Sequence, residues 1–480
     1  MPKDISSFEL TLDDRPRDAT LTKWLHDGLR HAILDGRLRP GTRLPATRDF
    51  ARQYGVSRGT AVTVFDQLLS DGYLRSQVGS GTWVNELLPQ PATGGALRAR
   101  PMRPSPPGPL IGLKFPPQAR PFRLHEPAMA EFPAQVWARV ASRRMRRLSP
   151  ALLVGGHPGG HAPLREAIAG YLASARGVKC SPDQIVVTSG VQQGLDILAR
   201  LLVGPGDSVW MEDPGYFGAA MAFGNAGANM IPVPVDGEGL SVARGIAAGG
   251  RVKCVYVTPA HQFPLGMAMS IERRVELLAW AAASGVYIIE DDYDSEFRFE
   301  GRPVPALQGL DRHETVVHLG TFNKLLFPAL RMGYAVLPPA LAERFLELRY
   351  GTELHGSSLD QAVLCDFIVE GHLGRHIRRM RELYGARLEA LLQGGREYLA
   401  GLLEISRIQA GLYTMGYLRN GMTSQQAESA ATEARVETMG LYRFTRGTPA
   451  AEDGLLLGFA AFDEQGIRKG LASLAGALSS

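Results

Sequence analysis

Cysteine is nearly absent from this chain of 480 residues: there are three, Cys180, Cys254 and Cys365, far apart and in no metal-ligand spacing. That excludes a disulfide framework or a zinc finger, predicts no metal site, and fits a reducing cytoplasm. Long apolar runs are also missing. No stretch approaches the ~20 unbroken apolar residues of a membrane-spanning helix, and the N-terminal MPKDISSFEL has no apolar signal core. A cytoplasmic protein without a membrane partner is therefore expected. Charge imbalance is small, with 52 Lys+Arg against 48 Asp+Glu and a net charge of +4. What is present, 45% hydrophobic and 21% charged residues, is the composition of a globular chain. At ~100–200 residues per domain, the length predicts two or three domains.

The small net charge conceals an uneven distribution. Residues 1–85 hold 12 basic and 10 acidic side chains, residues 86–149 hold 11 and 3, and residues 150–480 hold 29 and 35. A nearly balanced head, a basic middle and an acidic body point to three pieces with different partners.

In the head, Leu21–Leu34 carries apolar residues at helical spacing and stops at Asp35-Gly36. A short second helix runs from about Thr47 to Tyr54, with Gly55 as its stop. Ser57 caps a third, Arg58–Leu69. Two short strands, Tyr73–Arg75 and Thr82–Val84, flank Gly79-Ser80-Gly81. This is the order of a winged helix-turn-helix. A recognition helix presents its N-terminal end to the major groove, and here that end offers Ser57, Arg58, Gly59 and Thr60: a fork donor, a backbone able to approach closely, and hydroxyls. Arg43 and Arg48 flank the preceding helix, and the Gly79, Ser80, Gly81 tip is small enough for a minor groove. A helical protein-interaction module with a solvated arginine face fits the same pattern.

The stretch GRLRPGTRLPATRDFARQYGVSRGTAVTVFDQLLSDGYLRSQVGSGTWV resembles the GntR-type winged-helix DNA-binding domain, unbroken over residues 20–85. The resemblance implies double-stranded operator DNA as a partner. It makes Arg48 and Arg58 the backbone- and base-contacting arginines and the Gly79–Gly81 turn the wing.

Residues 86–130 are rich in Pro and Gly without apolar period, so an extended linker is expected between a head of 15–85 and a body of 131–480. From Phe132 the pattern turns helical, with Arg143, Arg144, Arg146 and Arg147 forming a basic strip. That strip is a solvated face, a dock for an acidic surface, or a further contact to DNA.

In the body, short apolar strands alternate with helical segments: Gln184–Thr188, Ser208–Met211, Lys253–Val257, Val286–Ile289 and Thr315–His318. That alternation predicts an α/β domain with a mainly parallel, doubly covered sheet, whose ligand lies beyond the C-terminal strand ends. Those ends carry Ser189-Gly190-Val191-Gln192, a helix N-terminus suited to phosphate; Tyr216; His261-Gln262; Asp291 and Tyr293; and Thr321 and Lys324, followed by Arg331. Taken singly, each has a plain structural explanation. Together, a phosphate nest, an acid, an aromatic and a lysine are what pyridoxal 5′-phosphate requires.

The stretches GGHAPLREAIAGYL, QIVVTSGVQQGLDILARLL, EDPGY, VTPAHQFPLG, IIEDDYDSEFRF, LGTFNKLLFPALRMGYAVLP and LYRFTRG resemble, in order, a fold-type I aminotransferase domain. Joined to the head, they resemble the MocR subfamily of GntR regulators. The resemblance implies that Lys324 is the Schiff-base lysine and Asp291 the partner of the pyridine nitrogen. It implies that Tyr293 holds the 3′-oxygen and that Tyr216 packs beside the ring. Phosphate would fall to Ser189, Gly190, Val191, Gln192, Thr321 and Arg331, and an effector carboxylate to Arg443. Phe263 stands where an asparagine is common, leaving His261 or Gln262 to substitute, and Asn323 stands where serine is common. The function expected is a transcriptional regulator that senses an amino compound, or the vitamer itself, by aldimine exchange in a domain-swapped homodimer. The alternative is an active aminotransferase with an appended DNA-binding head.

Overall fold

A computed structural model describes residues 10–16, 19–77, 80–86, 120–301, 304–447 and 452–479. Two compact units divide the chain between residues 113 and 114. Among the described residues no helix is long and apolar enough to cross a membrane.

The first unit contains helix α1 (Leu21–Leu34), strand β1 (Arg43–Leu44), helices α2 (Thr47–Gln53) and α3 (Arg58–Ser70), and strands β2 (Leu74–Gln77) and β3 (Gly81–Val84). Thr20 and Ser57 cap α1 and α3 by accepting backbone N–H groups of Lys23 and Thr60. Helix α3 buries Ala61, Val64, Phe65 and Leu68, the i, i+3, i+4, i+7 stripe of a helix with one packed face. Phe50 of α2 lies fully buried against Phe65, their ring centroids 5.0 Å apart. The sheet has three antiparallel strands in the order β1-β3-β2. The two-residue β1 is too short to carry any periodicity that would mark it in the sequence.

In the second unit an eight-stranded sheet is formed by β4 (Ile185–Thr188), β5 (Ser208–Asp213), β6 (Asn229–Asp236), β7 (Gly239–Leu240), β8 (Val252–Val257), β9 (Tyr287–Asp292), β10 (Val316–Thr321) and β11 (Gly333–Val336). Their order is β4-β11-β10-β9-β8-β5-β6-β7. The run β10-β9-β8-β5-β6 is parallel. Strand β11 is antiparallel to both β10 and β4. Two reversals restore direction, so β4 ends on the same edge as β5, β8, β9 and β10. Both faces are covered. Val209, Met211, Cys254, Tyr256 and Ile289 pack in one cluster, while Trp210, Val255, Val257 and Ile288 pack in another. That is why these strands read as continuous apolar runs instead of alternating with polar residues. A smaller antiparallel sheet follows, from β12 (Leu403–Ile405), β13 (Tyr413–Leu418), β14 (Met439–Gly440) and β15 (Gly454–Gly458).

Residues 120–130, placed by composition in the linker, belong to the second unit. Phe122 is fully buried in its core and accepts from the Gly458 N–H through its carbonyl (3.0 Å). A lone apolar anchor in a Pro-rich stretch has no period by which to announce itself. Arg98, Arg100, Arg103 and Lys114 of the expected linker lie outside the described residues. The basic strip resolves in part: Arg143 pairs with Glu370, and Arg144 Nε donates to Asp366 (2.9 Å). Two of its arginines are thus docked on the acidic body, whereas Arg146 and Arg147 are exposed.

Candidate functional site

The turn after β10 is fixed by buried Phe322 and by Asn323, whose N–H donates to Thr321 Oγ1 (3.1 Å) and whose Oδ1 accepts from the Met332 N–H (2.8 Å). Lys324 follows, with Nζ 4.0 Å from the centroid of the Tyr293 ring. Burial lowers the Lys324 pKa below the ordinary amine value, opposed by Asp294 and Asp291. A cavity of about 270 Å³ opens there, lined among others by Lys324, Asp291, Tyr293, Tyr216, Gly190 and Arg331.

Asp291 sits on β9 in register with Leu319 of β10. Tyr256 of β8 donates its hydroxyl to Asp291 Oδ2 (2.7 Å), and the buried Oδ1 has no partner among the described residues. Burial pushes the Asp291 carboxyl up to about 6, against the Tyr256 hydrogen bond and Lys324, which pull it down. At the β4 edge Gly190 has φ 108°, and a Cβ there would lie 3.3 Å from Asn323 Nδ2 and 3.6 Å from Arg331 Nη2. Only glycine adopts that backbone without strain. Gly190 is the N-cap of the helix Val191–Leu202, whose first N–H groups receive no side-chain cap among the described residues, and it lies beside Arg331, which itself adopts φ 49°. The cavity therefore offers an anion cradle, a carboxylate with one oxygen unpartnered among the described residues, and an amine between walls of Tyr216, Tyr256 and Phe263.

The family comparison decides the class. The bacterial regulatory proteins of the gntR family match residues 21–84, and aminotransferase class I and II matches residues 127–474. The probable rhizopine catabolism regulatory protein MocR of Rhizobium meliloti is 41% identical over 96% of this chain and 94% of its own length. The chain belongs to the MocR-type GntR regulators. A second MocR-type relative, the pyridoxine biosynthesis transcriptional regulator PdxR of Corynebacterium glutamicum, is 32% identical over 95% of each chain. Kynurenine aminotransferase of Pyrococcus horikoshii superposes with a TM-score of 0.69 at 29% identity, covering 75% of this chain and 91% of that one. LysN, the α-aminoadipate aminotransferase of Thermus thermophilus, does so with 0.69 at 27%, covering 75% and 91%. The regulator reading is thereby favoured over an active aminotransferase with an appended DNA-binding head, and the two-part fold of winged helix-turn-helix and fold-type I aminotransferase domain is that of the MocR type.

Not every residue singled out from the MocR-type sequence reaches the cavity. Gly190, Val191, Gln192, Tyr216, Asp291, Tyr293, Thr321, Lys324 and Arg331 line it. Ser189 turns away, its Oγ donating to Glu353 (2.7 Å). His261 is buried behind Tyr293, with Nδ1 2.9 Å from Asp294 Oδ1. Gln262 spends its amide on Pro214 O (2.9 Å) and Phe263 O (2.8 Å). Neither replaces the missing asparagine at the cavity wall, where Phe263 stands. The Tyr293 hydroxyl is bonded to the His261 carbonyl (2.7 Å) and to Tyr413 (2.8 Å). Arg443 is exposed and closes its fork on Glu428, at 2.8 Å from Nε and 2.6 Å from Nη2. Sequence reasoning missed Tyr256, Thr258, Phe217 and His125 in the lining. Tyr256 was legible as strand but not as a site residue, because its role comes from facing Asp291 across β8 and β9.

In the head, Arg48, Arg58 and Gly59 are exposed, and among the described residues neither arginine has a side-chain partner. Ser57 and Thr60 bond each other (2.8 Å between hydroxyls), so their hydroxyls serve first as the cap of α3. Arg43 donates to Ser80 O (2.7 Å) and lies against the Trp83 ring, which makes it a brace for the wing. Gly81 has φ 124°, and a Cβ there would come within 3.1 Å of Arg43 Nε. Gly79 lies outside the described residues.

Proposed function

We propose that this protein is a transcriptional regulator whose aminotransferase-like domain holds pyridoxal 5′-phosphate and reports the binding of a primary amine, or of the vitamer itself, to the DNA-binding head. One observation carries the reading: Lys324, Gly190 and Asp291, whose Oδ1 has no partner among the described residues, line one cavity. The residues present fit the group. A pyridine N–H would satisfy the orphaned carboxylate oxygen, and a phosphate would take the N–H groups of the helix N-terminus and Arg331. When bound, pyridoxal phosphate supplies an aldehyde open to amines and a ring that accepts electron density.

The chain's own residues then have defined tasks. Burial keeps the Lys324 amine easier to deprotonate, which favours its role as a nucleophile. Asp291, once ionised, holds a positive charge opposite it, and Tyr256 fixes the orientation of the carboxylate. Tyr216 and Phe263 exclude water from the walls. LysN was solved in complex with N-(5′-phosphopyridoxyl)-L-leucine, and PdxR is a regulator of pyridoxine biosynthesis, which supports a pyridoxal-phosphate site that answers to an amine or to the vitamer. A homodimer is part of the proposal. Leu153 and Val154 are 70% and 83% exposed and Leu354 is 51% exposed, an apolar surface that a second copy would cover. Arg48 and Arg58 are assigned to DNA.

The test titrates purified protein with pyridoxal phosphate and then with amines, following cofactor absorbance and operator binding together. Coupled changes support sensing; steady turnover to a keto acid without any change in DNA binding sinks it. Lys324→Ala should abolish the covalent absorbance band and leave basal DNA affinity in place.

A further inference from the structure

The first described stretch of the second unit carries a side chain into the cavity. His125 lines it together with Lys324, its ring centroid 5.4 Å from Phe263 and 6.0 Å from Tyr413. Its backbone has φ 65°, in the left-handed region that a side-chain-bearing residue adopts only at a cost. The surroundings enforce it. The Glu437 N–H donates to Pro121 O (2.9 Å), and the Gly458 N–H donates to Phe122 O (3.0 Å). Arg123 Nε donates to Glu437 (3.0 Å), and the Ala128 N–H donates to the Tyr384 hydroxyl (3.0 Å). A strained residue held from both sides and pointed into a site is a functional arrangement in search of a ligand.

The imidazole makes no hydrogen bond to any described residue. Burial, with Lys324 and His261 nearby, pushes its pKa well below the ordinary imidazole range, so it is neutral, with one N–H donor and one acceptor nitrogen. Around it the wall is aromatic, from Phe263 and Tyr413, and the Tyr413 hydroxyl is already bonded to Tyr293. The cations of the lining are Lys324 and Arg331, the latter beside Gly190. Arg443, which would attract a carboxylate, is closed on Glu428.

We propose that His125 is the specificity residue for the effector, and that it selects a primary amine bearing a neutral hydroxyl-type group over one bearing a carboxylate. This rests on the cofactor-binding reading above. A hydroxyl can use either nitrogen of a neutral imidazole, whereas a carboxylate can only accept from its single N–H and must bring its charge out of water to the aromatic wall of Phe263 and Tyr413. Residues 120–130 are the first described residues of the second unit, so a ligand engaged at His125 touches the part of the body nearest the head in sequence.

The experiment uses the full-length protein loaded with pyridoxal phosphate and three primary amines of three carbons each: 3-aminopropan-1-ol, propylamine and β-alanine. The apparent Kd is read from the change in cofactor absorbance. One added hydrogen bond predicts that 3-aminopropan-1-ol binds about tenfold tighter than propylamine, and that β-alanine binds no tighter than propylamine. His125→Gly accepts φ 65° without strain and should bring 3-aminopropan-1-ol to the level of propylamine. His125→Asn tolerates the same backbone and keeps a hydrogen-bonding tip set back toward it, so part of the preference should remain. The cofactor band before amine is added reports the fold of each variant; should the Gly variant lose it, the Asn variant decides. An unreduced preference in either folded variant, or tighter binding of β-alanine by the unaltered protein, overturns the inference. Absence of any cofactor band in the unaltered protein would overturn the cofactor reading itself.

Discussion

Asp291→Asn is the substitution that isolates the electrostatic half of the site. Asparagine keeps the size of the side chain and an oxygen for the Tyr256 hydroxyl, now 2.7 Å away. Its amide nitrogen then falls where the orphaned Oδ1 stands, presenting a donor to the donor that a pyridine N–H would bring. A hydrogen bond to a charged group contributes ~1.5–3 kcal/mol, so cofactor affinity should fall by about 10- to 150-fold. A second consequence appears without cofactor. Burial raises the Asp291 carboxyl to about 6 in the folded protein, against ~3.9 in an unfolded chain. The folded state therefore binds the proton more tightly. The stabilisation is fully present below pH ~4 and is lost as pH rises through ~6, a difference of about 3 kcal/mol. The assay is paired: fluorescence titration of cofactor-free protein with pyridoxal phosphate, and urea unfolding of the body between pH 4.5 and 7. The Asn variant should bind cofactor weakly and lose this part of the pH slope. Unchanged cofactor affinity in a variant that unfolds like the unaltered protein would refute the placement of the ring nitrogen against Asp291.

Two further outcomes concern the head. Arg58→Ala should weaken operator binding and reduce the salt dependence by about one counterion, measured by fluorescence anisotropy at several salt concentrations, while sparing the cofactor band. Undiminished binding would mean that the N-terminal end of α3 does not meet DNA. Phe50→Ala removes a fully buried ring from the small core it shares with Phe65. It should cost the head ~3–5 kcal/mol, seen in calorimetry as a lowered or missing head transition with the body transition in place. A matched loss in both would mean that the two units unfold as one.

Much of this protein was legible from its residues. Ser57 as a cap, the Gly36 and Gly55 stops and the apolar stripe of α3 are local signals that hold wherever the helix ends up packing. The strands β4, β5, β8, β9 and β10 were visible as apolar runs because a sheet covered on both faces leaves no polar alternation. The strand-end residues followed, since a parallel sheet gathers its C-terminal ends along one edge. Lys324, Asp291 and Gly190 could be proposed as one site on that ground alone.

What the sequence could not carry is pairing and direction. Strand β11 enters antiparallel between β4 and β10, and only this insertion places Gly190 beside Arg331. Tyr256 becomes the partner of Asp291 because β8 lies next to β9. Arg443, expected from the resemblance to hold an effector carboxylate, pairs with Glu428, fifteen residues earlier in the chain. His125 lay in a stretch whose composition reads as linker, and its place at the cavity depends on Phe122 finding the body core. Residue type and local spacing determined which chemistry this chain can perform and which segments fold. Which side chains are left unpartnered, and therefore available to a ligand, was decided by long-range contacts that no local pattern encodes.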